Sequence, residues 1–383
     1  MPTPVSHFDY ELPQELIAQH SVEPRDHSRL MVIDRVTGEW EHKRFYNIMG
    51  ALRSGDVLVM NNTKVFRARL EASVADKAIE LFLLRPRDGT SSSARPSLSN
   101  KRLTLGDAER RPLQDQPSSA RWDVLVKPGR HVNVGDTIVL KGITGRVLTK
   151  SDVVCVAFDV SDQQLIDYAN AHGQIPIPPY VHEMPVRLDQ YQTVYASQTG
   201  SVAAPTAGFH FTKELLESIR AKGVEIQYVT LHVGLGTFRP MKSETIEEHE
   251  MHSEFVTIDS MTAQAINQAK QEGRRVIAVG TTTVRTLEGV NALFDPPPFQ
   301  GGVRGGYCLL PESGFSGDVN LFITPGFDFR VVDAIITNFH LPKSTLLVLI
   351  SAFAGREHIL AAYEEAIRER YRFFSFGDAM MIR

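Results

Sequence analysis

Helix and strand signals alternate along this chain and are interrupted once, between about Leu70 and Asp159, by short extended segments without helical period. The runs IELFLLR, WDVLV, TIVL, RVLT and VVCVAFDV are separated by Pro128-Gly129, Gly135-Asp136 and Gly142. Strands this short, with turns this frequent, suit a small β-barrel or sandwich. On either side the pattern is that of a layered α/β domain, with strands such as VLVMN, RVIAVG and VVDAIIT followed by helical segments.

The expected organisation is therefore a discontinuous α/β domain over 1–69 and 160–383, with an all-β barrel-like domain inserted at 70–159. Within the insertion, 86–120 is rich in Ser, Arg, Pro and Gln and reads as a mobile loop. A chain of 383 residues, 42% apolar and 22% charged, has material for two domains. The start MPTPVSHFDYELP lacks a basic-then-apolar leader, and no apolar run approaches the roughly 20 residues of a membrane span. A cytoplasmic protein with no membrane association is expected. Cys155 and Cys308 stand far apart, which suggests neither a disulfide framework nor a thiolate metal site.

The net charge of −4 speaks against nonspecific nucleic-acid binding, but it is unevenly spread. Residues 67–150 hold 16 Lys and Arg against 9 Asp and Glu, and the remainder 25 against 36. One region thus has the sign to meet an anionic partner, although residues 85–121 supply +4 of that +7.

Seven segments carry candidate chemistry. GSVAAPTAGFHFT (200–212) packs small residues around Ser201, Thr206 and His210; Gly208 lets backbone and ligand approach, and Thr212 caps a helix over 213–221. VLVMNNTKV places Asn61, Asn62, Thr63 and Lys64 after a strand, as a ligand loop or an asparagine-stabilised turn. VTLHVGLGTFRP carries His232 and a GxG, but Arg239 and Pro240 rule out a dinucleotide fingerprint. RRVIAVGTTTVRTLE ends its strand on Gly280, Thr281 and Thr282, with Arg285 one turn into a helix, an arrangement suited to a carboxylate or phosphate. VVDAIITNFHLPKST pins Thr337, Asn338 and His340 between two apolar elements. EEHEMHSE sets His249 and His252 three apart without metalloprotease spacing, so proton transfer or ligand bonding is preferred to a metal. Near the end, YRFFSFGDAMMIR offers Asp378 beside a glycine.

These segments, together with FDYELPQELIAQHSVEPRDHSRLMVID, the IPIPPYV and YQTVYA stretches and YRFFSFGDAM, resemble the S-adenosylmethionine:tRNA ribosyltransferase-isomerases of queuosine biosynthesis over roughly three quarters of the chain. The resemblance implies transfer and isomerisation of the ribosyl group of S-adenosylmethionine onto 7-aminomethyl-7-deazaguanine at the tRNA wobble position, giving epoxyqueuosine, adenine and methionine. S-adenosylmethionine is then a consumed substrate rather than a bound cofactor, tRNA is the macromolecular partner, no metal is needed, and a monomer is expected.

That chemistry requires a base, an acid for the departing adenine, an anchor for the methionine carboxylate and shelter from water. The candidates for proton transfer are His210, His252 and His340, with Asp378 behind them. Arg285 with Thr281 and Thr282 suits the carboxylate; Asn61, Asn62 and Asn338 suit base edges; Lys64, Ser201, Thr206, Gly208 and His232 complete the substrate set. Arg25 and Arg29 of PRDHSR either hold tRNA phosphate or buttress the fold, and Arg67, where the family has proline, either loosens the crossing into the insertion or adds a phosphate contact.

Overall fold

The computed structural model describes residues 2–87, 120–151, 153–183, 185, 187–234, 240–251, 253–294 and 309–383. Two compact units emerge, Met1–Val65 with Ile177–Arg383, and Phe66–Pro176. The loop expected at 86–120 lies almost wholly outside the described residues, as do His252 and 235–239 of the GxG segment.

In chain order the strands and helices are β1 (Arg29–Ile33), β2 (Trp40–Arg44), β3 (Val57–Asn61), β4 (Thr63–Val65), β5 (Arg69–Val74), β6 (Lys77–Pro86), β7 (Arg121–Lys127), β8 (Thr137–Leu140), β9 (Ile143–Lys150), β10 (Val154–Phe158), α1 (Asp162–His172) and β11 (Gln198–Ser201). There follow α2 (Lys213–Ala221), β12 (Glu225–Leu231), β13 (Glu254–Ile258), α3 (Ser260–Gln271), β14 (Val276–Val279), α4 (Thr281–Phe294), β15 (Phe315–Val319), β16 (Ala334–Asn338), α5 (Thr345–Ala354), α6 (Arg356–Arg368) and β17 (Ala379–Ile382).

The larger unit is built on a nine-stranded mixed sheet ordered β15-β13-β12-β3-β14-β16-β17-β1-β2. Its centre is parallel, β12 with β3, β3 with β14, and β14 with β16. Strands buried on both faces read as continuous apolar runs, which is why VLVM and VIAV show no alternation. Successive side chains still go to opposite faces. Val57, Val59, Val276 and Ala278 join α3 to α6 in one core; Leu58, Met60, Ile277 and Val279 join α2 and Phe45–Gly50 in the other. The smaller unit is a closed six-stranded antiparallel barrel, β10-β7-β6-β5-β8-β9, followed by α1. Closure leaves no strand edge exposed. Ser161 and Gln164, three apart in the sequence, form a capping box, with Gln164 N–H donating to Ser161 Oγ at 3.3 Å.

LPQELIAQ, with Pro13 in its first turn, and FYNIMGAL both carry helix signals in the sequence, and the structure corrects both. LPQELIAQ forms only a 3-10 turn, Gln14–Leu16, because the chain beyond is drawn into a bridge: Phe373 N–H donates to Leu16 O at 2.8 Å and Ala18 N–H to Phe373 O at 3.2 Å. FYNIMGAL is a longer 3-10 turn over Phe45–Gly50. Among the described residues no single helix is long and apolar enough to cross a membrane.

Candidate functional site

The carboxyl ends of β14 and β16 lie side by side, and the chain leaves both through polar residues. At β14 the turn Gly280, with φ of +86°, starts α4 at once, so that Thr281 and Thr282 sit in the first turn of a fourteen-residue helix. The positive end of that helix dipole and its unpaired N–H groups favour an anion there. At β16 the chain passes Thr337, Asn338, Phe339 and His340 before Ser344 caps α5, Leu347 N–H donating to Ser344 Oγ at 3.2 Å. A cleft opens between these ends, walled on the third side by Ala204–Ala207 and closed by Tyr180, Phe374 and Ser375.

Of the predicted site residues, this cleft gathers Thr206, Thr281, Thr282, Asn338 and His340. His340 is buried and tied down at three points: its N–H donates to Tyr363 Oη at 2.8 Å, its carbonyl accepts from Tyr10 Oη, and Nε2 lies 3.1 Å from Thr337 Oγ1. Burial pushes its pKa down to about 3, so the ring is neutral at ordinary pH. Asn338 Nδ2 donates to Phe374 O at 2.9 Å, which helps to hold Phe374 at φ of +69°, a strained value for an aromatic residue. Asn338 Oδ1, also buried, finds no partner of ordinary hydrogen-bond geometry, and the Asn338 side chain acts on the buried His210 ring as a hydrogen-bond partner.

A small second pocket adjoins through Ser375, and it takes in Arg25 and His210. His210 Nδ1 lies 2.7 Å from Ser28 Oγ and the ring stacks on Phe45 at 4.9 Å. Burial, then Arg372, lower its pKa to about 3, with Arg25 acting in the same direction and the Asn338 side chain against it.

Other predicted residues brace the walls. Asn61 Oδ1 accepts from Leu231 N–H and Thr63 N–H, both at 3.1 Å, and its Nδ2 donates to Leu231 O at 3.0 Å. Asn62 Oδ1 accepts from Thr230 Oγ1 at 2.7 Å. Ser201 Oγ donates to Ala203 O at 2.7 Å and accepts from Val233 N–H at 3.0 Å. His232 Nδ1 lies 2.9 Å from Thr63 Oγ1, its pKa lowered by burial to about 4, and a Cβ on Gly200 would come within 2.7 Å of its ring. Gly208 serves packing: an added Cβ would fall 2.0 Å from Tyr195 Oη. Lys64 is exposed on β4.

Two assignments change, those of Arg285 and Asp378. Arg285, expected at a substrate carboxylate, is buried and bonded to the Glu254 carboxylate, with Nε donating to Leu321 O at 3.2 Å. A guanidinium already neutralised in this way does not reach the cleft beside Thr281. Asp378, expected as ligand or base, receives Arg29 N–H at 2.9 Å and Arg372 N–H at 2.8 Å, so its two oxygens are engaged by main chain. Arg29 caps the chain at Glu369 O and lies over Tyr371 at 3.7 Å, a buttress. Arg67, in the barrel unit, donates to Gly173 O at 3.3 Å.

The sequence reading missed Tyr180, Phe374 and Ser375. IPIPPYV is too proline-rich for a central strand and the phenylalanines of YRFFSFGDAM read as core; only the turn that gives Phe374 its positive φ brings that residue to the cleft. Among the described residues no group of three His, Cys, Asp or Glu is placed to share a metal ion.

The comparisons with known proteins agree with this architecture. A family model described as queuosine biosynthesis protein matches residues 5–382. The solved structure of an S-adenosylmethionine tRNA ribosyltransferase from Thermotoga maritima is 36% identical, covers 99% of this chain and 100% of its own, and superposes with a TM-score of 0.52. With nearly its whole length matched, the chain belongs to the queuosine biosynthesis protein family.

Proposed function

We propose that this protein is an S-adenosylmethionine:tRNA ribosyltransferase-isomerase, which moves the ribosyl group of S-adenosylmethionine onto 7-aminomethyl-7-deazaguanine at the wobble position and releases adenine and methionine. The observation that carries the proposal is the cleft itself. A helix N-terminus with two threonines, a buried neutral histidine and the buried Asn338 amide converge there, in a chain of the queuosine family.

In this reading the N-terminus of α4, with Thr281 and Thr282, takes the methionine carboxylate, the role first given to Arg285. The sulfonium acidifies the adjoining ribose methylene, and His340, neutral and positioned by Thr337, accepts that proton as adenine departs. Asn338 Oδ1 accepts a hydrogen bond from a base edge, and Tyr180 and Phe374 supply apolar wall that keeps water from the intermediate. The exocyclic amine of the modified base then attacks, and epoxide closure expels methionine.

Incubation with S-adenosylmethionine and tRNA carrying the aminomethyl base, followed by chromatography, tests the proposal. Adenine and methionine in equal amounts are expected. S-adenosylhomocysteine in their place would make the protein a methyltransferase and overturn the reading.

A further inference from the structure

The turn that carries His340 is fastened by groups outside the cleft. It leaves the end of β16 and reaches α5 through Leu341, Pro342 and Lys343, and Lys343 has φ of +55°, a left-handed conformation that a residue other than glycine keeps only where its surroundings hold it. The N-terminal segment supplies much of that hold. Lys343 N–H donates to Phe8 O at 2.8 Å, and its ammonium stands 2.7 Å from an Asp9 oxygen, while Lys343 O accepts from Met241 N–H at 3.0 Å.

The next residue of that segment, Tyr10, reaches His340 itself. Its Oη donates to the His340 carbonyl, and Tyr363 Oη, from α6, accepts the His340 N–H at 2.8 Å. Neither tyrosine lines the cleft. Both pack in the aromatic cluster around Phe339, Tyr10 against Tyr363 at 5.1 Å, and Tyr363 against Phe339 at 5.3 Å and Phe373 at 6.0 Å. Burial raises the pKa of both phenols, so each keeps its hydrogen. Phenylalanine would pack in such a cluster equally well; what the hydroxyls add is one donor and one acceptor, matched to the carbonyl and the N–H of a single residue.

With its main chain held on both sides, His340 meets Thr337 through Nε2. Their separation of 3.1 Å suits a ring N–H donating to a hydroxyl, whereas a hydroxyl donating to a ring nitrogen comes closer, as at the 2.7 Å between Ser28 Oγ and His210 Nδ1. The one hydrogen of the neutral ring is then on Nε2, and Nδ1 is bare.

We propose that Tyr10 and Tyr363 are positioning residues for ribosyl transfer, which aim His340 so that Nε2 bonds to Thr337 and Nδ1 is the atom that takes the substrate proton. The proposal rests on the base role given to His340 in the proposed function. The methylene C–H bond beside the sulfonium breaks, the proton goes to Nδ1 to give an imidazolium, and the electron pair of that bond stays on the substrate carbon.

Tyr363→Phe and Tyr10→Phe keep the rings and remove only the hydroxyls. With S-adenosylmethionine and tRNA carrying the aminomethyl base, kcat is expected to fall roughly 10- to 100-fold in each, with KM for either substrate moving less than about twofold. In a His340→Ala background the same changes are expected to lower kcat by less than about twofold, because a group that acts through His340 then has nothing left to aim. Losses that multiply fully with that of His340→Ala, or an unchanged kcat in both variants, overturn the proposal. If Tyr363→Phe fails to fold, with the His340 N–H left without its acceptor, Tyr10→Phe carries the test, its ring being only half-buried. The geometry is read without turnover from the full-length protein labelled with 15N-histidine, the His340 ring signals being identified by their loss in His340→Gln. One sharp pair is expected in the wild type, with the hydrogen on Nε2, and split or broadened signals in the two variants. A hydrogen on Nδ1, or the same sharp pair in all three proteins, overturns the proposal. Because that spectrum needs no catalysis, a protein that shows it but releases no adenine, or keeps wild-type kcat in His340→Ala, refutes the base reading and leaves the fastening of His340 standing.

Discussion

Gly208 and His340 show how single positions in one small region serve packing and chemistry separately. At Gly208 any side chain meets Tyr195 Oη at 2.0 Å and Thr193 Cγ2 at 2.8 Å. Gly208→Ala should therefore lower stability by about 1–3 kcal/mol through overpacking, read as a fall in Tm. An unchanged Tm would show that Tyr195 moves aside freely. His340→Ala should leave the fold intact and lower kcat by roughly 10²–10⁴-fold, the range for losing a positioned general base. Because burial holds its pKa at about 3, the wild-type kcat profile should show no limb near pH 6.5 from this group. A limb there that vanishes in His340→Ala would refute the assignment. Of the cleft, Thr281, Thr282, Asn338 and His340 were legible in the sequence because each sits at a strand end ahead of a helix. Tyr180 and Phe374 were not, since aromatic residues in proline-rich or aromatic runs look like core until backbone geometry places them.

At the level of elements, the helices that position the site carry their own start signals. Thr212 Oγ1 accepts Leu215 N–H at 3.1 Å at the start of α2, and Gly223, φ +85°, follows its end. Thr212→Ala should cost about 1 kcal/mol, shifting the urea midpoint while leaving the m-value unchanged. A changed m-value would mean that the cap organises more than its helix. The elements read correctly from the chain, such as α2, β14 with α4, and β16 with α5, combine an apolar period with a cap or a glycine stop. β2 and β15 escaped notice because they run at the two ends of the sheet and are mostly polar and only partly buried, WEHKR and FSGDV, and β17 because AMMI is short. The expected helix at LPQELIAQ lost to a tertiary bridge with Phe373 that no local propensity reports.

For the molecule as a whole, three histidines kept neutral by burial link folding to pH. His210, His232 and His340 have pKa values of about 3, about 4 and about 3 in the folded protein. Unfolded, each takes up a proton near pH 6.5. The unfolded state therefore binds more protons between these limits, and stability falls as pH drops from about 6.5 towards 4, by up to about 1.4 kcal/mol per pH unit for each histidine. Denaturation at pH 6.5 and pH 5, above the range where carboxylates join in, should show this loss, with about a third of the slope removed in His340→Gln. Equal stability at both values would mean that these rings are not buried neutral. This dependence arises because the fold encloses ionisable groups around the cleft.

Ribosyl transfer at that cleft is tested most directly by S-adenosylmethionine carrying one label in the ribose and another in the methyl group, incubated with tRNA bearing 7-aminomethyl-7-deazaguanine. The account predicts ribose label in the tRNA, methyl label in free methionine, and neither movement in His340→Ala. Methyl label in the tRNA would contradict it.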